Sequence, residues 1–161
     1  MGSGPVRGAA EEEFMNVFDR HVQKYTKMLA GGASQEKVAR EVVSDERDAL
    51  LAAEMTVDSG DRERIERAVA YGSSELRIHT PRVRFFDGRK FSFGGIHFRE
   101  WPNEVWVDGT RRLDEMKMLG LHETQHIQHF SDGLGADLPA EHRHELRERD
   151  AHRFARRGAH W

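Results

Sequence analysis

His122, Glu123 and His126 stand in the run His-Glu-Thr-Gln-His. On an α-helix, residues four apart share a face, so His122 and His126 can offer two imidazoles to one metal ion at the ~2.0–2.1 Å of a zinc–nitrogen bond. Glu123 lies about 100° around the helix from His122, where its carboxylate reaches a water on the ion without itself binding the metal. Two neutral imidazoles beside a free carboxylate are the parts of metal-assisted hydrolysis, with Glu123 as general base. A histidine-rich amphipathic helix with no metal would contain the same residues. The flanking sequence favours a helix in either case: Leu113, Met116, Gly120, Leu121, Thr124 and Ile127 recur at three- and four-residue steps. Asp108 or Thr110 is placed to cap its start, and Gly133 to end it.

Two imidazoles leave a catalytic zinc site short, because such sites use three protein ligands and an open position. Four carboxylates compete for the third place: Asp132, Glu141, Glu145 and Glu148. Asp132 could reach back only through a sharp turn near His129, where no glycine eases it. Glu141 falls in the first turn after Pro139, an ordinary place for a solvated acid. Glu145 precedes Arg149 by four residues and reads as half of a surface ion pair. Glu148 shares a helix face with Ala151 and Ala155, whose small side chains would let two helices approach closely. The reading therefore favours His122, His126 and Glu148. His129 is expected at the surface, with a place near the metal or a role toward an oxyanion as alternatives. His144, His152 and Tyr71 are further oxyanion candidates.

The elements that would position these groups read as an α+β fold. Residues 1–10 look disordered, and Met1-Gly-Ser-Gly-Pro5 resembles an expression-vector remnant that hides any export signal. Residues 11–161 form one domain, with a helical part over 11–72 and a catalytic part over 73–161. The first helix spans Glu11 to Ala30, with Phe14, Val17, Phe18, Val22, Tyr25 and Leu29 as its apolar stripe. Ser34 caps a second helix running to about Met55, with Val38, Val42, Ala49, Leu50 and Ala53 inward. A third runs from Asp61 to Tyr71 and stops at Gly72. From Ser73 the period changes to that of strands. Leu76–His79 alternates, Val83–Phe86 and Arg89–Phe93 flank a tight Asp87-Gly88 turn, and Ile96–Phe98 and Glu104–Val107 follow. The sheet is expected to be small and mostly antiparallel. A strand over Asn103–Val107 could hold an extended peptide, with Trp101 and Trp106 walling the cleft or filling the core. Pro139 opens a last helix to about Arg157. Its Arg149, Arg153 and Arg157 make a basic stripe, read as a solvated face rather than a phosphate site.

Composition narrows the class. The 161 residues are 33% charged and 37% hydrophobic, with a formal net charge of −3 and no cysteine. Disulfides, thiolate metal sites and thiol catalysis are thereby excluded. The charge gives no general attraction to nucleic acid or anionic membranes. No apolar run approaches the ~20 residues of a membrane span, and the compartment stays open.

Two segments taken together resemble the gluzincin metallopeptidases, in which HExxH lies on one helix and a glutamate ligand on a later one. Glu148-Arg149-Asp150-Ala151-His152-Arg153-Phe154-Ala155 is similar to the glutamate-helix motif of small gluzincins, the ImmA/IrrE-type peptidases among them. The resemblance covers about Val83 to Arg157. It implies a zincin-like catalytic part, one Zn2+ per chain bound by His122, His126 and Glu148, Glu123 as general base, and a protein or peptide substrate. His152 stands where many gluzincins have the Asp or Asn that orients the first histidine. The metzincin pattern is the rival: Asp132 has the spacing of its last ligand, but His129 replaces the turn glycine and no methionine follows Met118. A toxin or effector peptidase of the same chemistry, and an inactive zinc-binding interaction module, are the remaining alternatives.

Overall fold

The computed structural model describes residues 22–132 and 140–161, with the side chains of residues 130–132, 140 and 141 outside that description. The architecture is α+β. Residues 22–30 are helical (α1). They are followed by α2 (Gln35–Ala52), α3 (Ser59–Leu76), β1 (Arg82–Phe86), β2 (Gly95–Phe98), β3 (Trp101–Asp108), α4 (Leu113–Asp132) and α5 (Ala140–Arg157). The expected disorder of residues 1–10, the first half of the first helix, Gly133 and Pro139 lie outside the described residues.

The sheet has the order β1-β3-β2. β1 pairs parallel with β3 and β2 pairs antiparallel with it, so the sheet is mixed rather than mostly antiparallel. Side chains alternate across a strand, and each face of the sheet carries its own core. Val83, Phe85, Val105 and Val107 point to one side and pack with Ile65 and Val69 of α3 and Met116 of α4. Phe86, Phe98 and Trp106 point to the other and pack with Leu50 and Ala53 at the end of α2. Trp106 is fully buried, so it belongs to this core and not to a cleft wall. Beside it a polar cluster seals the α2 face: Glu104 accepts from Arg47 Nε at 2.5 Å and from Arg84 at 3.0 Å.

Several local expectations are overturned. The Asp87-Gly88 hairpin does not form. Asp87 caps a 3-10 turn over Gly88–Lys90 by accepting from Arg89 N at 3.1 Å. Gly88 N donates to Asp108 Oδ1 at 3.0 Å, which docks the turn against the end of β3 and sends the chain away from β1. Asp108 also accepts from Thr110 N and Arg111 Nε, at 2.9 and 2.8 Å. It therefore closes the β3–α4 turn, and neither Asp108 nor Thr110 caps α4, which begins at Leu113. Leu76–His79 is not a strand: Leu76 ends α3, and Arg77 closes that helix in the left-handed region at φ 57°. In the described part of the first two helices, Val22, Leu29 and Val42 are exposed. Polar contacts join α1 to α2 instead, with Tyr25 Oη donating to Asp45 at 2.8 Å.

α3 also runs past Gly72 rather than stopping there. A Cβ at Gly72 would lie 2.9 Å from Leu121 and 2.9 Å from Phe154. The glycine marks a close approach of α3 to the α4–α5 junction, not a helix end. Replacing it with valine in this packed junction should destabilise the fold by about 1–3 kcal/mol, read by urea unfolding. A neutral or stabilising result would show that the junction has room.

Candidate metal centre

α4 and α5 pack through small residues. Ala151 and Ala155 are buried, and just beyond α5 a Cβ at Gly158 would come within 2.6 Å of Leu121 Cδ1. Phe154 and Leu121 close the contact with Trp161. This close seating carries Glu148 to the face of α4 that presents His122 and His126. Glu148 Oε2 lies 3.0 Å from His122 Nε2, and Oε1 lies 2.8 Å from His126 Nε2. The two imidazole Nε2 atoms are 3.1 Å apart.

These separations bear on whether a metal fits. Four ligands at ~2.0–2.1 Å around a tetrahedral ion stand about 3.3 Å from one another. The three separations lie a few tenths of an ångström below that spacing, with each carboxylate oxygen facing one imidazole. The three donor groups form a cluster that could hold a metal ion. Burial holds the His126 imidazole well below the usual histidine range, at about 4, with the Glu123 charge pulling it up and His122 pushing it down. At neutral pH the ring is therefore uncharged, with one of its two nitrogens free of a proton. Burial pushes the Glu148 carboxyl up, but His122 and His126 together outweigh this and hold it below the ordinary carboxyl range. The candidate cluster thus combines one buried imidazole, one half-buried imidazole and an anionic carboxylate at the open rim.

Glu123 is buried and stands apart from the three donors. Its helix offset turns it to the sheet, where Oε1 accepts from His97 Nδ1 at 2.8 Å. Gly95 makes room for it: a Cβ there would lie 3.2 Å from Glu123 Cγ. Gly95 and His97 pair with Val107 and Val105 across the ladder and share the α4-facing side of the sheet with them. The His97 ring stacks on His126 with centroids 5.3 Å apart. A cleft of about 710 Å3 adjoins this point, with Arg77, His79, His97, Phe98 and Ile127 among its walls.

Other expectations need correction. His129 is fully buried rather than exposed. Its Nδ1 lies 3.3 Å from His126 Nδ1 and its Nε2 lies 2.6 Å from Asp150 Oδ2. Tyr71 is 52% exposed and packs on Trp161, while His144 and His152 are exposed. None of these three joins the cluster. Glu145 is exposed, and the side chains of Asp132 and Glu141 lie outside the described residues. The strand over Asn103–Val107 is the central one, hydrogen-bonded on both sides, and has no free edge for a peptide. The sequence reading missed His97 and Asp150. His97 had a signal: in Gly95-Ile96-His97-Phe98 the apolar residues face one side, which puts His97 on the other.

No known protein family, no curated protein and no solved structure matches the chain. The site is therefore read from its own geometry.

The depressed His126 value has a direct consequence for the metal-free protein. An unfolded histidine titrates near ~6.5, so between about 6.5 and 4 the unfolded chain binds a proton that the folded chain refuses. Stability must fall as pH drops through that window. The depressed Glu148 carboxyl acts in the same direction at lower pH, since its contribution is lost once it protonates. The melting temperature of the metal-free chain should be lower at pH 5 than at pH 7, with a shallower fall in His126→Gln. A flat profile, or equal slopes in the two proteins, would contradict the assignment.

Proposed function

We propose that this chain is a zinc-dependent metallopeptidase of gluzincin type, its sheet, α4 and α5 forming a zincin-like catalytic part. The observation that carries the reading is the convergence of His122, His126 and Glu148 from two helices, with Glu123 alongside but outside the donor set. Two imidazoles and a carboxylate, with no thiol in the chain, suit a catalytic zinc with one open position. Zinc, when bound, would polarise a peptide carbonyl and acidify water.

The chain's own residues supply the rest. His122, His126 and Glu148 hold the ion. Glu123 takes a proton from the attacking water and returns it to the leaving amine nitrogen. The His97 Nδ1–H, donating to Oε1, keeps the Glu123 carboxylate oriented. β2 is the outer strand on the side of Glu123, so an extended peptide can add to its edge through main-chain hydrogen bonds. The adjoining cleft takes side chains of that peptide. Among the described residues no helix is long and apolar enough to cross a membrane.

Zinc content and turnover separate the roles. Glu123→Gln should keep zinc and fold while lowering peptide hydrolysis by about 10²–10⁴-fold. Glu148→Ala should weaken zinc binding by more than about tenfold and Glu145→Ala should leave it unchanged, since only the former removes one of three ligands. Unaltered hydrolysis by Glu123→Gln would exclude it as the base. Tight zinc binding by Glu148→Ala would end the gluzincin assignment.

A further inference from the structure

His129 and Asp150 take no part in the ligand set, yet their geometry is specific. His129 is fully buried. It lies between two polar partners, with His126 Nδ1 at 3.3 Å from its Nδ1 and Asp150 Oδ2 at 2.6 Å from its Nε2. Two nitrogens that face each other can share only one proton, so the tautomers are linked. An ionised aspartate only accepts hydrogen bonds, so His129 must carry its proton on Nε2. A neutral imidazole then has a bare Nδ1, and His126 must supply the proton between the rings from its own Nδ1. That leaves His126 Nε2 bare toward the Glu148 carboxylate, whose Oε1 is 2.8 Å away and also only accepts, so this tautomer is the favoured one when a cation sits between Nε2 and the carboxylate.

From this chain of hydrogen bonds we infer that Asp150 and His129 are positioning residues that lock His126 in its Nδ1–H tautomer, with Nε2 aimed as a metal donor. The inference rests on the metal-centre reading above and adds to it the residues that orient one ligand. Metal-bound histidines commonly donate their second N–H to such a partner. Here the carboxylate acts through an intervening imidazole, and upon the second histidine of the motif. Burial of His129 keeps water from replacing either partner. The relay also uses the same helix as the third ligand. Glu148 and Asp150 lie two residues apart, about 200° around α5, on either side of the buried Ala151. One helix thus meets α4 with a metal ligand on one flank and the end of the relay on the other.

The test combines tautomer and affinity. In two-bond proton–nitrogen NMR spectra of the 15N-labelled, zinc-loaded chain, His129 should appear with its proton on Nε2 and His126 with its proton on Nδ1. In competition titrations with a zinc chelator, His129→Phe fills the site without an acceptor and should weaken zinc binding by about 10–100-fold. His129→Asn places an amide oxygen near the position of Nδ1 and should retain more affinity than His129→Phe. Should His129→Phe fail to fold, Asp150→Ala carries the test, since the Asp150 side chain is 41% exposed. It should weaken zinc binding and release the His129 tautomer. A His129 proton on Nδ1 in the unaltered chain overturns the inference. So does zinc binding within about threefold of the unaltered chain in every folded variant, against the loss expected for an orienting partner. In both cases the three-ligand site stands. Failure of the unaltered chain to take up zinc overturns the site and the relay together.

Discussion

The close contact of α5 with α4 is the constraint on which the candidate site depends. HExxH on a helix supplies two donors and a base, but the third donor must come from another element. A carboxylate side chain is short, so its helix backbone must come near. Ala151, Ala155 and Gly158 allow this because they place almost nothing between the two elements. Leu121 and Phe154 then fill the space at the end of the contact, with Trp161 against Phe154 at 5.3 Å between ring centroids. A larger side chain at any of the small positions would move Glu148 away from His122 and His126 before it altered the chemistry of any of the three.

The sheet does a different job. It has one hydrophobic face under α3 and α4 and another under α2, so it fixes α4 in rotation as well as position. That rotation places Glu123 against Gly95 and His97, while His122 and His126 face α5. Glu123 and the two histidines of the candidate metal cluster are thereby set apart on the helix: the histidines meet α5 and Glu123 meets the outer strand. His97 links the two sides, since it touches Glu123 by a hydrogen bond and His126 by ring stacking.

Much of this was legible in the sequence, for identifiable reasons. Helical spacing placed His122 and His126 together because four residues make nearly one turn, and the small residues after Glu148 marked a close contact. Ser34 and the two strands over Ile96–Phe98 and Glu104–Val107 were read from local chemistry that tertiary structure did not override. The errors arose where local signals met long-range contacts. Gly72 looked like a helix stop because a glycine's packing role depends on Leu121 and Phe154, far along the chain. Asp87-Gly88 looked like a hairpin turn because nothing nearby announces that Asp108 binds the Gly88 amide. His129 looked like a surface residue because its burial needs Asp150 from another helix. A parallel pairing such as β1 with β3 leaves no turn signature between its strands at all.

X-ray absorption at the zinc edge, combined with anomalous difference maps from crystals of the zinc-loaded chain, locates the ion and its donors. A single ion is expected within ~2.0–2.2 Å of His122 Nε2, His126 Nε2 and a Glu148 carboxylate oxygen, with one further light-atom ligand from solvent. An ion seated away from these residues, or one bound by the two histidines without Glu148, would contradict that expectation.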